Sequence, residues 1–132
     1  MSILVIHDDV DTVGHLVEML RRQECDAVVA VSRCEAFSIL HDASVAILSV
    51  TSSGDKAVSA IAEIRNRSDV PLMVMTPAAS SDECVEMLLA GADDCVGRSE
   101  HVDVVLARVR VLLRRRLVPV TGTASTRRSP RP

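Results

Sequence analysis

Short apolar runs alternate with longer amphipathic stretches along most of this chain. The run 3–6 (Ile-Leu-Val-Ile) is too short for a helix and consists mainly of branched residues, which predicts a buried β-strand. The apolar residues that follow recur at spacings of three and four, which places them on one helix face: Val13, Leu16, Val17 and Leu20. The pattern therefore begins with a strand and an amphipathic helix.

The same strand–helix unit recurs four more times. Further strands are predicted at 27–31, 45–50, 72–75 and 94–96. Helix starts are indicated by two S-x-x-E capping boxes, at 32–35 and 80–83, and Gly91 stands where the fourth helix would end. The residues expected to face the core from the last four helices are Ala36, Phe37 and Leu40, then Ala57, Ile61 and Ile64, then Val85, Leu88 and Leu89, and finally Val102, Val105, Leu106, Val109, Leu112 and Leu113.

Five consecutive βα units predict an α/β fold, a doubly wound parallel sheet with the flavodoxin-like strand order 2-1-3-4-5. In such a sheet the functional crevice lies at the carboxyl ends of the strands. The candidate functional residues are therefore those that end or follow a strand: His7, Asp8, Asp9, Ser49, Thr76 and Arg98. We assign 1–116 to this domain and expect 117–132, rich in Pro, Ser, Thr and Arg, to be a disordered linker or tail.

Charge and cysteine content narrow the class of protein. The net charge is −3, and 117–132 contributes three arginines and no acids, so 1–116 carries −6. An acidic body argues against direct nucleic-acid binding.

No signal peptide or bilayer-length apolar run is apparent, which favours a cytoplasmic location without a membrane partner. The four cysteines lack a CxxC spacing, so we interpret them mainly as small apolar residues and expect no metal centre or cofactor.

Four segments resemble the receiver domain of two-component response regulators, in particular the OmpR/PhoB type. They are 3–9 (ILVIHDD), 70–76 (VPLMVMT), 90–98 (AGADDCVGR) and 106–115 (LARVRVLLRR). The resemblance covers residues 2 to about 116, and its most specific parts are Gly-Ala-Asp-Asp and Leu-Leu-Arg-Arg.

In that family an aspartate after the third strand accepts a phosphoryl group beside Mg²⁺, which an acidic pair after the first strand holds. The resemblance places Ser49 at the phosphoacceptor position and His7 at the first acid. A degenerate acidic pocket, Asp8 and Asp9, then remains, and it would bind Mg²⁺ weakly at most because His7 offers nitrogen and Ser49 is uncharged. A serine cannot form phosphoaspartate, and its deprotonation needs a neighbouring base.

The remaining pocket positions are partly retained. The resemblance implies that Thr76 is the family's phosphate-contacting hydroxyl residue and that Arg98 replaces its lysine while keeping the charge. Cys95 takes the place of the aromatic switch residue. We expect Thr76 and Arg98 to pair with Asp8 where the phosphate would otherwise lie.

The resemblance also implies a homodimer through the fourth helix, fifth strand and fifth helix. Asp94 and Arg108 match an acid–base pair that the family uses there, and Arg110 and Arg115 lie on the same helix. The simpler interpretation is that these arginines form a solvated face. Cys84 also maps near this face, beside Cys95, which keeps a redox role open.

These observations favour a non-enzymatic, phosphorylation-independent receiver domain that provides signal input and dimerisation in a transcriptional regulator. DNA would be bound only through a C-terminal domain absent from this sequence, and the signal would be a small-molecule ligand or a partner protein. Two alternatives remain. One is a stand-alone protein–protein adaptor, and the weaker one is a redox-sensing flavodoxin-like module, which lacks a glycine-rich phosphate loop here.

Overall fold

The computed structural model describes residues 2–23, 27–51 and 54–117, in which strands and helices alternate. The elements are β1 (Ser2–His7), α1 (Val10–Arg21), β2 (Ala27–Ser32), α2 (Arg33–Ala36), β3 (Val45–Ser49), α3 (Asp55–Arg67), β4 (Leu72–Thr76), α4 (Ser81–Ala90), β5 (Asp94–Gly97) and α5 (Val102–Leu117). A 3₁₀ turn, Leu40–Asp42, precedes β3. The expected tail after position 117 lies outside the described residues, and so does Cys25.

The five strands form one parallel sheet in the order β2-β1-β3-β4-β5, which confirms the predicted topology. The register brings the strand ends level with one another. His7 lies opposite Ser49, Ser49 lies opposite Met75, and Thr76 lies opposite Gly97. The predicted crevice residues therefore meet at one edge of the sheet.

The sheet has an apolar layer on each face. Successive residues of β1 alternate between them: Leu4 and Ile6 pack with the layer beneath α2, α3 and α4, whereas Ile3 and Val5 pack with the layer beneath α1 and α5. The inward residues predicted for α1, α3 and α5 are buried or packed against these layers. None of the helices in the described ranges is both long and apolar enough to cross a membrane.

The second helix is shorter than the pattern suggested. Ser32 caps it as predicted, because its Oγ accepts from the amide of Glu35. The helix ends after one turn, although Leu40 still reaches the core through the 3₁₀ turn. The Oγ of Ser38 donates to the carbonyl of Glu35 at 2.9 Å, and the amide of Ile39 bonds to Ala36, so local three-residue bonds replace the α-helical ladder.

The fourth helix is rotated relative to the expectation. Its capping box forms in both directions between Ser80 and Glu83, and Gly91 ends it at φ 127°. However, Met87 is the side chain that α4 buries fully. The three residues predicted to face inward are 40–54% exposed: Val85, Leu88 and Leu89. The prediction was wrong because the helix turns Met87 and, in part, Cys84 toward the sheet, which leaves the more apolar face of α4 exposed.

Candidate functional site

Three buried polar side chains mark the carboxyl edge of the sheet. His7 is 9% exposed, Ser49 is 2% exposed, and Thr76 is completely buried. Each ends its strand, and β1, β3 and β4 are adjacent in the sheet, so the parallel topology alone brings these residues together. Three of the predicted site residues therefore lie at one end of the sheet, and their functional role stays a prediction.

Arg98 directly follows β5 and reaches across the carboxyl ends of the strands. Its backbone amide continues the sheet by donating to the carbonyl of Thr76 at 2.7 Å. Its Nη2 donates to the Oγ of Ser49 at 3.0 Å and also to the carbonyl of Val50. The guanidinium therefore ties the end of β5 to the end of β3, across β4.

This arrangement differs from the expected pairing of Arg98 and Thr76 with Asp8. The side-chain hydrogen bonds of Arg98 go to Ser49 and Val50, because the neutral hydroxyl and the strand-end carbonyl lie within its reach. The Oγ1 of Thr76 instead accepts from the amide of Ala79 at 2.8 Å. That contact fixes the loop between β4 and α4, in which Ala79 has the left-handed φ of 52°.

The acidic pair lies at the rim. Asp8 and Asp9 are exposed, and the carboxylate of Asp9 accepts from the amide of Asp11 at 3.0 Å, which caps the start of α1. Within the described ranges, no group of three or more His, Cys, Asp or Glu side chains is placed to hold a metal ion.

The donors at this edge do not fit Mg²⁺, the ion that the resemblance implies. Mg²⁺ requires hard oxygen ligands in octahedral geometry. Here His7 offers nitrogen, and the hydroxyl of Ser49 already accepts from Arg98. One carboxylate oxygen of Asp9 is engaged in the helix cap.

Two nitrogens at this edge are buried without a hydrogen-bond partner. In the described part of the chain they are the Nδ1 of His7 and the Nε of Arg98. A buried polar atom without a partner costs about 1–3 kcal/mol, so such atoms are uncommon in folded proteins. The carboxyl end of the sheet therefore retains unmet hydrogen-bonding capacity at His7 and Arg98.

Cys95 lies on β5, half-buried beneath α4. Burial raises the pKa of its thiol to about 12, with further contributions from a hydrogen bond with Cys84 and from the charges of Cys84, Asp94 and Glu83. The Sγ of Cys84 contacts the carbonyl of Ala79 at 3.7 Å and that of Cys95 at 4.0 Å. The resemblance predicted both cysteines near the face formed by the fourth helix, fifth strand and fifth helix, and in the structure they are neighbours between α4 and β5.

The predicted dimer residues lie on α5 and β5. Arg108 forms an ion pair with Asp94 within the chain, since its Nη1 lies 3.2 and 3.1 Å from the two carboxylate oxygens. Arg110 and Arg115 are exposed. The neighbouring surface also exposes large apolar side chains: Val85, Leu88 and Leu89 on α4 and Val104 on α5.

Sequence reasoning missed two features, one at this end of the sheet and one at the opposite end. The carbonyl of Val50 is a partner of Arg98, and no residue pattern signals a backbone acceptor. Arg65 forms a clamp at the opposite edge of the sheet, where it donates to the carbonyls of Gly91 and Val70 and to the carboxylate of Asp93. The adjacent Asp93 and Asp94 thus have separate partners, which their sequence alone does not reveal.

Comparison with known proteins finds transcriptional regulatory proteins among the sequences most similar to this chain. No protein-family model matches the chain. The transcriptional regulatory protein PrrA of Mycobacterium tuberculosis is 32% identical over 133 residues, which cover 94% of this chain and 54% of PrrA. The chain thus spans about half the length of the curated relatives it matches.

Solved structures agree on the fold. A two-component response regulator from Clostridium difficile matches with a TM-score of 0.71 and 22% identity over 89% of this chain and 99% of that one. An atypical orphan response regulator, described as having a phosphorylation-independent regulatory mechanism, matches with a TM-score of 0.65 and 22% identity over 86% of this chain and 96% of its own. The chain therefore has the fold of a response-regulator receiver domain, and in sequence it is similar to part of transcriptional regulatory proteins such as PrrA, PhoP and a CpxR homologue.

Proposed function

We propose that this receiver domain transmits its signal without being phosphorylated. Ser49 ends β3 at the position where phosphorylated receivers carry their aspartate, so the acyl phosphate of the family cannot form there. The observation that carries the proposal is the 3.0 Å hydrogen bond from Arg98 to the Oγ of Ser49. It fills the site with an internal contact.

The chemistry at Ser49 supports this proposal. A serine hydroxyl becomes a nucleophile only when a base removes its proton. Ser49 is 2% exposed, and its oxygen faces a guanidinium, which is always protonated and cannot serve as that base. Since the donor set does not fit Mg²⁺ either, the charge of a transferring phosphoryl group would lack its usual metal.

The contact also gives the domain a fixed conformation. The resemblance implies that in phosphorylated receivers the residues after the fourth and fifth strands contact the phosphoryl group. Here Arg98 already bridges β5 and β3, and Thr76 is already engaged with Ala79. The domain would then hold one arrangement of its β4–α4 loop in the absence of a phosphoryl group.

A small ligand that carries hydrogen-bond acceptors would complete this pocket. The Nε of Arg98 is a donor without a partner, and the Nδ1 of His7 lies at the same edge. An acceptor that reached Arg98 would recover the free energy that the unpartnered donor costs. This supports ligand binding as the input in place of phosphorylation.

Dimerisation through α4, β5 and α5 would be the output. Leu88 and Leu89 on α4 and Val104 on α5 expose apolar side chains, which suits an interface built from these elements. Asp94 and Arg108 already neutralise each other within one chain, so exchanging them across a dimer would add little free energy. The apolar residues would therefore supply most of the affinity.

In the full-length protein this output would act on DNA. The relatives are transcriptional regulatory proteins about twice as long as the chain. A following DNA-binding domain would be brought to its site in pairs by the dimer. The acidic body of this domain itself is unsuited to DNA.

Incubation with a small-molecule phosphodonor and Mg²⁺, followed by intact-mass analysis, tests the proposal. We expect no phosphorylated wild-type chain. The double variant His7→Asp/Ser49→Asp restores the two missing carboxylates and serves as the positive control, which should gain one phosphoryl group. A hydroxylamine-labile phosphate on the wild type would overturn the proposal.

A further inference from the structure

Two thiols meet between α4 and β5. Cys84 lies in the first half of α4, and Cys95 lies in β5 directly beneath it; both are half-buried and neither forms a disulfide. The Sγ of Cys84 lies 4.0 Å from the backbone carbonyl oxygen of Cys95. The two side chains are therefore neighbours across the packed surface, held there by the capped start of α4.

Cys84 is also connected to the crevice. Its thiol donates to the carbonyl of Ala79 at 3.7 Å, and the amide of the same residue donates to Thr76 at 2.8 Å. Ala79 has the unusual φ of 52°, so its peptide groups are held by these two contacts at a strained point of the loop. A chemical change at Cys84 would therefore reach the loop that Thr76 fixes.

We propose that Cys84 and Cys95 form a reversible intrachain disulfide when the domain meets a peroxide or a low-molecular-weight disulfide. This modification would be a second input, separate from the pocket at Ser49. It lies on the α4–β5 surface that borders the exposed apolar patch. Forming the bond removes the thiol proton that Cys84 gives to Ala79.

The reaction with a peroxide proceeds in two steps. The thiolate of Cys84 attacks one peroxide oxygen, the O–O bond breaks, and hydroxide or alkoxide leaves, which gives a sulfenic acid on Cys84. The thiolate of Cys95 then attacks that sulfur, the S–O bond breaks, and water leaves after the hydroxyl is protonated. The peroxide is reduced by two electrons, and the thiol pair is oxidised by two.

The order of attack follows from the surroundings of the two thiols. Burial and the neighbouring acids raise the pKa of Cys95 to about 12, which keeps it protonated and makes it a poor first nucleophile. Cys84 therefore reacts first, and closure by Cys95 is the slower step. A sulfenic acid on Cys84 should consequently be trapped by dimedone before the ring closes.

The test uses the full chain with Cys25→Ser and Cys34→Ser, which leaves only the proposed pair. After treatment with hydrogen peroxide or glutathione disulfide, we expect a product two hydrogen atoms lighter than the reduced chain. Cleavage at the arginines releases the peptide 68–98, which contains both cysteines and no other. Further cleavage after Glu86 should leave two fragments joined until a reductant is added.

Two matched variants make the outcome decisive. Cys84→Ser and Cys95→Ser, each in the same background, should lose the joined fragments, and Cys95→Ser should retain the dimedone adduct on Cys84. Circular dichroism establishes that each variant is folded before treatment. Joined fragments in the parent alone support the proposal. Joined chains rather than joined fragments, or oxidation that stops at a single cysteine of the parent, would overturn it.

Discussion

The Nη2 of Arg98 lies 3.0 Å from the Oγ of Ser49, so the last strand of the sheet is tied to the middle strand at their carboxyl ends. In the proposed correspondence with phosphorylated receivers, Arg98 stands in place of a lysine and Ser49 in place of an aspartate. The Nη2 of Arg98 supplies both hydrogen bonds, to the Oγ of Ser49 and to the carbonyl of Val50, and the long side chain carries this charged donor from the end of β5 to the end of β3.

Removing that contact should destabilise the domain. In Arg98→Ala the Oγ of Ser49 and the carbonyl of Val50 lose their donor in a buried place, which should lower the free energy of unfolding by about 1–3 kcal/mol. Urea denaturation measures this loss. Arg98→Lys is the matched control and should retain part of the stability, because it keeps one charged donor. An alanine variant as stable and as self-associating as the wild type would speak against the proposed internal contact.

Thr76 should control the loop before α4 rather than a phosphoryl group. Thr76→Val keeps the shape but removes the acceptor for the amide of Ala79, so hydrogen exchange at that amide should accelerate, and stability should fall by about 1 kcal/mol. Thr76→Ser retains the hydroxyl and should preserve the protection. Exchange rates measured by NMR distinguish the two variants, and equal protection in both would contradict this role.

The exposed face of α4 should matter for association and not for folding. Leu89 is 54% exposed, so Leu89→Asp should change the free energy of unfolding by no more than about 0.5 kcal/mol. The same variant should weaken the dimer at least tenfold, or by about 1.4 kcal/mol. Analytical ultracentrifugation over a concentration series measures both species.

Ala62→Asp is the control for that experiment, because it adds the same charge to an exposed position of α3, away from the proposed interface. Equal self-association in the two variants would argue against the α4–β5–α5 interface. Loss of binding to another protein without any change in self-association would favour the adaptor alternative.

Alkaline pH should weaken the fold through Cys95. The folded chain holds the pKa of this thiol at about 12, above the value of about 8.5 for an exposed thiol, so the folded state binds its proton more tightly than the unfolded state. The resulting stabilisation is complete below the unfolded pKa and is lost as the pH rises toward the folded pKa. Urea denaturation between pH 7 and pH 10.5 should show a decline that is shallower in Cys95→Ala.

The chain is well suited to that measurement, because it has no tyrosine and Lys56 is its one lysine. The other three cysteines and Lys56 are common to the wild type and Cys95→Ala, so the difference between the two proteins isolates Cys95. A decline of equal steepness in both proteins would mean that Cys95 is not the group responsible.

The topology was readable from the sequence because it depends on the order and period of apolar residues. Five strand–helix units specify a parallel sheet, and the sheet then places His7, Ser49 and Thr76 at one edge. The capping box at Ser80 was also readable, since both of its hydrogen bonds join residues three apart. Local spacing was sufficient in each case.

The errors arose where tertiary packing decides between alternatives. Val85, Leu88 and Leu89 are the most apolar residues of α4, yet the helix turns Met87 toward the sheet and leaves them exposed. Their exposure is consistent with an interface. Hydrophobicity alone does not distinguish a residue buried in the core from one that is exposed at such an interface. At the end of the second helix, the hydroxyl of Ser38 donates to the carbonyl of Glu35. This local hydrogen bond competes with continuation of the helix, and the sequence alone does not show that it forms.

The sequence predicted which residues lie at the carboxyl end of the sheet but not the contacts among them. The resemblance named Arg98 and Ser49 separately and expected Asp8 to receive the guanidinium. The pairing that formed depends on a few ångströms of side-chain reach and on the carbonyl of Val50, which carries no sequence signal. The neighbourhood of Cys84 and Cys95 likewise depends on how α4 lies over β5.

An NMR titration with beryllofluoride and Mg²⁺ tests the central claim most directly, because this mimic binds where a phosphoryl group would. We expect no change in the amide signals around Ser49 and Thr76 of the wild type, whereas His7→Asp/Ser49→Asp should show shifts there under the same conditions. Saturable shifts centred on Asp8, Ser49 and Thr76 in the wild-type domain would contradict it.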